Sequence, residues 1–150
     1  MHDAATEMLE IEALKQLKAR YFRSVATFDL GGWLDCFTED CDLLFDAEVR
    51  RRDEPEPRRF AFQGKQDLID YWNSNSDRLE SVHHGHMPEI EILSETEAKG
   101  VWAMEDIVEF TDSLLHGFGH YHETYRKTDG VWRIATLRLT RLRLSQTPKA

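Results

Sequence analysis

Cysteine is scarce in this chain, and the two that occur, Cys36 and Cys41, exclude whole classes of protein. Two thiols cannot build a disulfide framework, and no second pair exists to complete a zinc site. They read instead as small buried apolar side chains of a reduced, cytoplasmic protein. Long apolar runs are missing too: none approaches the roughly 20 residues of a membrane span. The opening segment MHDAATEMLEIEALKQ lacks the basic and apolar regions of a signal peptide. Positive charge is in deficit. Asp and Glu number 28 against 19 Lys and Arg, a net charge of −9. That balance disfavours a nucleic-acid partner, because phosphate binding needs a cationic surface. There is no GxSxG nucleophile elbow. There is no glycine-rich phosphate loop either, since Gly117-Phe118-Gly119 lies between strand-like segments rather than ahead of a helix.

What is present fits one domain over residues 1–150, large enough to bury a core without staples. Residues 7–28 predict an amphipathic helix, with Ile11, Leu14, Tyr21, Val25 and Phe28 at helical spacing and Leu17 and Phe22 widening the stripe. Thr6 is its expected N-cap and Gly31-Gly32 its expected stop. Trp33 to Phe37 suits a second, short helix, and Asp42 to Val49 a first strand. Residues 50–63, charged and carrying two prolines, read as a mobile, solvated loop or the exposed end of a hairpin. Lys65 to Leu79 predicts a third helix that buries Leu68, Tyr71 and Trp72. Four long strands follow, over 83–93, 100–110, 117–127 and 131–144. Asp129-Gly130 marks a tight hairpin between the last two, because glycine supplies the positive φ such turns require. Helices first and an antiparallel meander after them give an α+β domain. A curved sheet folded around a helix would leave a cone-shaped pocket.

One residue breaks the strand pattern. Alternation puts Trp102, Met104, Asp106, Val108 and Phe110 on one face, so a carboxylate stands among apolar side chains. A buried carboxylate needs a partner or a raised pKa, which marks a candidate active site or a structural ion pair. Arg141 repeats the pattern in Ala135, Leu137, Leu139, Arg141 and Arg143, and a guanidinium there is a natural partner for Asp106 or for a substrate oxygen. Tyr21 lies in the helix stripe, either as a core residue or as a phenol donating to a carbonyl. Six of the seven histidines fall in two clusters, His83, His84, His86 and His116, His120, His122. Alternation splits each cluster, so a carboxylate-oriented His83 base accounts for them better than a metal.

The segments IEALKQLKARYFR, SVHHGHMPEIEI, AKGVWAMED and TYRKTDGVWRIATLRLTRL resemble the SnoaL-like branch of the NTF2-like superfamily across residues 9–144. The His-x-Gly-His-x-Pro-Glu-Ile and Trp-x-x-Glu-Asp stretches look most like the bile-acid 7α-dehydratase family, and more distantly like scytalone dehydratases. The resemblance implies a cone-shaped α+β barrel with a curved antiparallel sheet around N-terminal helices. It implies a catalytic set at Tyr21, His83, Asp106 and Arg141, with Phe45, Trp102, Met104, Val108 and Tyr121 against the substrate. There are departures. Phe45 stands where these dehydratases have a second pocket tyrosine, and Val108 where scytalone dehydratase has a second histidine.

The expected activity is a cofactor-independent, metal-free dehydratase acting on a small apolar hydroxylated ketone or enone, steroid-like or polycyclic. In it His83 moves the proton and Asp106 fixes its tautomer. The kindred activity is double-bond isomerisation. The rival reading is a non-catalytic binding or accessory module, such as a small subunit of a ring-hydroxylating oxygenase. No nucleic-acid or membrane partner is expected. Such domains leave a sheet face to cover, and the resemblance implies a homo-oligomer, a trimer rather than a dimer.

Overall fold

The computed structural model describes residues 3–75 and 77–150. The chain runs α1 (Ala4–Ala26), α2 (Leu30–Asp35), β1 (Phe37–Asp46), β2 (Arg59–Gln63), α3 (Gly64–Ser74), β3 (Arg78–Ile92), β4 (Glu97–Phe110), β5 (Ser113–Thr128) and β6 (Val131–Pro148). One six-stranded sheet has the order β2-β1-β6-β5-β4-β3. The meander β3 to β6 is antiparallel as expected, but β1 joins β6 in parallel, so the sheet is mixed. The α+β architecture, with a curved sheet wrapped on its N-terminal helices, is the one the sequence implies. No described helix is long and apolar enough to cross a membrane.

Several local expectations change. Asp3, not Thr6, caps α1, and its carboxylate accepts from the Thr6 N–H at 2.8 Å. The helix stops before the glycines, because Phe28 turns left-handed at φ 57 just past its end. Gly31 and Gly32 instead lie inside α2, where the Asp29 carboxylate accepts from the Gly32 N–H at 2.9 Å. A Cβ on Gly32 would strike that carboxylate. Phe28 therefore leaves the helix stripe and is half exposed. For residues 50–63 the hairpin alternative holds: 59–63 form β2, antiparallel to β1 from Asp42↔Gln63 to Asp46↔Arg59. The intervening loop is held by ion pairs, among them Arg58–Glu48 and Arg50–Glu56. The third helix ends at Ser74, so Arg78 and Leu79 belong to β3; Ser76, in the same expected helix, lies outside the described residues. Leu68 is buried, whereas Tyr71 is 37% exposed. The Asp129-Gly130 hairpin forms as read, with φ of 52 and 77.

The core sits between α1 and the inner sheet face. Cys36 and Cys41 are buried in it as free thiols. It also holds a charge the periodicity did not flag. Lys18, fully buried in the α1 stripe, is ion-paired to the buried Glu123 of β5. Its ammonium lies 3.9 Å from the ring centroids of both Tyr21 and Tyr121. Glu123 also accepts from the Tyr125 hydroxyl at 2.5 Å, which accepts in turn from Trp102 Nε1 at 2.9 Å. Burial pushes the Lys18 pKa down against the pull of Glu123. Such a pair is tolerated only because every member is satisfied.

Candidate active site

A cavity of about 400 Å³ opens at one end of the barrel, between α3, the β1–β2 side and the inner face of β3, β4 and β6. Its size and largely aromatic wall suit a small apolar ligand. Tyr21, His83, Asp106 and Arg141 all line it. Four residues distant in sequence therefore share one chamber.

Strand register explains how. His83 of β3 stands directly opposite Asp106 of β4, and Asp106 directly opposite Gly117 of β5. Arg141 reaches the same place from β6, where it stands opposite Gly119 and continues the inner face of Leu137 and Leu139; the strand bulges just beyond it. The pairing shifts between Phe118 and Gly119, leaving Leu142 as the extra residue. Arg143 is thereby turned outward, and Leu144 takes the inner position beside Gly117. A second shift near Thr124 does the same at Ala135, so Ile134 and Leu137 face the core. A Cβ on Gly117 would land on the Arg141 guanidinium and the Asp106 carboxylate. Gly117-Phe118-Gly119 is thus strand, and its first glycine leaves room for the ion pair.

Asp106 is 4% exposed and accepts two parallel bonds from Arg141, Nη1 to Oδ1 at 2.6 Å and Nη2 to Oδ2 at 2.8 Å. Arg141 Nε donates to the Asp46 carbonyl at 3.3 Å. The pair expected from the strand pattern is formed, and it is bidentate. The expected Asp106–His83 hydrogen bond is not formed. His83 Nδ1 lies 3.1 Å from the hydroxyl of buried Ser81, two residues earlier on the same strand face. Ser81, not Asp106, orients the imidazole, because the carboxylate already serves the guanidinium. Burial lowers the His83 pKa to about 4; the nearby Asp106 charge opposes this, while Arg78, Lys18 and Arg141 reinforce it. At neutral pH the ring is uncharged and able to accept a proton.

Tyr21 is 3% exposed, edge-on to Phe37 and Tyr121. Burial raises its pKa well above the ordinary phenol value, so it is a protonated hydrogen-bond donor. Phe45 and Val108 line the cavity, and neither can hydrogen-bond there. Trp102, Met104 and Tyr121 do not line it. They are buried in the core, on strand rungs short of His83 and Asp106, where α1 packs down on the sheet and closes the space.

Sequence reasoning passed over Ser81 and Arg78 of the wall. Arg78 was hidden in the tail of an expected helix, and Ser81 shares the His83 face only once β3 is known to begin at Arg78. The other histidines lie elsewhere. His84 and His86 on β3 and His120 and His122 on β5 are separated by β4, with Ala103 opposite both His86 and His120. Among the described residues no three His, Cys, Asp or Glu side chains converge as metal ligands. A larger groove, about 760 Å³, opens along His122, Thr124, Thr136 and Arg138 and touches none of the four expected catalytic residues.

The SnoaL-like domain model matches residues 6–138. The chain belongs to the SnoaL-like family. Solved structures share its fold. A candidate scytalone dehydratase from Novosphingobium aromaticivorans superposes with a TM-score of 0.82 at 19% identity, covering 95% of this chain and 91% of that one. Hexachlorocyclohexane dehydrochlorinase LinA-type3 from Novosphingobium barchaimii gives 0.76 at 15% identity, covering 99% and 95%. The beta subunit of a candidate aromatic-ring-hydroxylating dioxygenase from Novosphingobium aromaticivorans gives 0.77 at 15%, covering 96% and 99%. At these identities the likeness is one of fold, and proteins named as a dehydratase, a dehydrochlorinase and a dioxygenase beta subunit share it.

Proposed function

We propose that this protein is a cofactor-independent lyase that dehydrates a hydroxylated cyclic ketone or enone. The observation that carries the reading is a neutral, cavity-facing imidazole, His83, oriented by Ser81 beside a buried bidentate Asp106–Arg141 pair. In the base form Nδ1–H donates to Ser81 Oγ, and the Nε2 lone pair takes a proton from the carbon next to the substrate carbonyl. The electrons move to the carbonyl oxygen, where the Tyr21 hydroxyl donates a hydrogen bond to the forming enolate. The enolate then collapses, the hydroxyl group leaves from the β-carbon, and the imidazolium returns the proton to it as water. Asp106 tempers the charge of that imidazolium from across the strand, although Arg141 holds its oxygens. With an unsaturated ketone, the intermediate is a dienolate, and returning the proton to its γ-carbon instead would give double-bond isomerisation.

The LinA dehydrochlorinase and the candidate scytalone dehydratase are named for eliminations, which supports a lyase over a passive module. The dioxygenase beta subunit supports the accessory reading. A screen separates them. Purified protein is challenged with hydroxylated steroid ketones, bile-acid enones and polyketide-like phenols, and thermal-shift hits are followed by ultraviolet absorbance. New conjugation with wild type but not with His83→Ala is the expected result. Binding without turnover, unchanged in His83→Ala, points to the accessory module.

A further inference from the structure

Besides its tyrosines, six ionisable side chains stand in the cavity wall, and five have a described role. Asp106 holds Arg141, Asp46 holds Arg59, Arg58 holds Glu48, and His83 meets Ser81. The sixth is Arg78. Among the described residues no carboxylate pairs with it, none accepts from its guanidinium, and its Nε is buried without a partner. Burial pushes its pKa below the ordinary arginine value. An uncompensated cation in such a place is costly unless a ligand completes it.

The surroundings fix it for that purpose. Its Cζ lies 4.9 Å from the ring centroids of both Phe28 and Trp72. The two rings stand nearly perpendicular, at 79°, so the guanidinium can lie flat on at most one of them, and the ring contacts hold the cation without supplying a hydrogen-bond acceptor. Phe28 supplies its ring from a left-handed backbone, φ 57, that a bulky residue avoids. Arg78 and His83 are on the same face of β3, opposite Phe110 and Asp106. Those two rungs are four residues of β4 apart, so the side chains leave the strand roughly 13 Å from one another.

We propose that Arg78 is the specificity residue of this cavity and that its ligand is a carboxylate: an apolar ring system whose acid group docks on Arg78 while its other end faces His83. One unpaired guanidinium balances one negative charge, and its fork matches a planar carboxylate. A dianionic phosphate would stay half uncompensated in an apolar wall. The inference rests on the cavity being the ligand site of the proposed function, and not on the reaction assigned to it.

The test measures binding, not turnover. Calorimetry of the full chain compares 2-naphthoate with its neutral isostere 2-naphthamide. Wild type is expected to bind the carboxylate at least ~10-fold more tightly. R78M should abolish the preference, and R78K should keep only part of it, having the charge without the fork. R58M and H83A should both retain it, so a failed dehydratase reading leaves this result intact. Circular dichroism checks that each variant folds, and the wild-type comparison stands without any variant. Equal affinities in wild type, or a preference that survives R78M, overturn the proposal. Tighter binding of 2-naphthalenesulfonate than of 2-naphthoate overturns the carboxylate assignment.

Discussion

Asp106 commits both oxygens to Arg141, and this changes what His83 can be. A free carboxylate beside the imidazole would hold it charged; here burial prevails and lowers its pKa to about 4. The sign of the consequence is fixed. The unfolded chain takes up the proton near pH 6.5 and the folded chain only near 4, so stability falls as pH drops through that window and levels off below it. The contribution is up to about 3 kcal/mol. It reads out as the difference between wild type and His83→Gln in denaturant titrations from pH 7 to pH 4. The acid limb of kcat/KM should likewise lie near pH 4, where a free histidine would put it near 6.5. The ion pair makes its own prediction. Arg141→Met strands a carboxylate that is 4% exposed and should cost roughly 3–5 kcal/mol. Asp106→Leu with Arg141→Met should recover most of that loss by chemical denaturation. Both members of this pair were legible in the sequence, because a charge on an apolar strand face is a misfit whatever the fold. The partner of His83 was not: register and competition for one carboxylate decide it, and neither is written in a local pattern.

Among the elements, β5 and β6 show where periodicity stops being informative. Strict alternation would place Arg143 next on the inner face after Arg141, and the bulge at Leu142 places Leu144 there instead. A bulge is set by pairing across two strands, so one strand read alone cannot show it. The Asp129-Gly130 turn was legible because its two positive φ values demand those residue types. The end of α1 was not, since Phe28 adopts a left-handed φ that its side chain does not advertise. Gly117 is the element-scale test. Gly117→Ala drives a methyl into the Asp106–Arg141 pair and should cost about 1–3 kcal/mol and most activity. Val131→Ala, on the exposed start of the same hairpin's second strand, should change stability by less than ~0.5 kcal/mol. Thermal melts of the two variants make the comparison.

For the whole molecule, the sheet has one face on the helices and one open face. That open face presents Phe118 and Leu142 beside the histidine pairs of β3 and β5. We propose that a homo-oligomer covers apolar surface of this kind, with the trimer implied by the resemblance; light scattering after gel filtration should give three times the 17.6 kDa chain mass. A monomer at micromolar concentration would contradict it. The α+β order was readable from helix and strand periodicity and the cone-shaped barrel from the family resemblance, while the parallel β1–β6 pairing was not, because it joins segments far apart in the chain.

The most direct test of the central claim is proton exchange at carbon. A cyclic ketone shown by thermal shift to bind is incubated in D2O, and loss of its α-proton signal is followed by NMR. Wild type should exchange ~10²–10⁴-fold faster than His83→Ala. Equal rates in the two proteins would contradict His83 as the base.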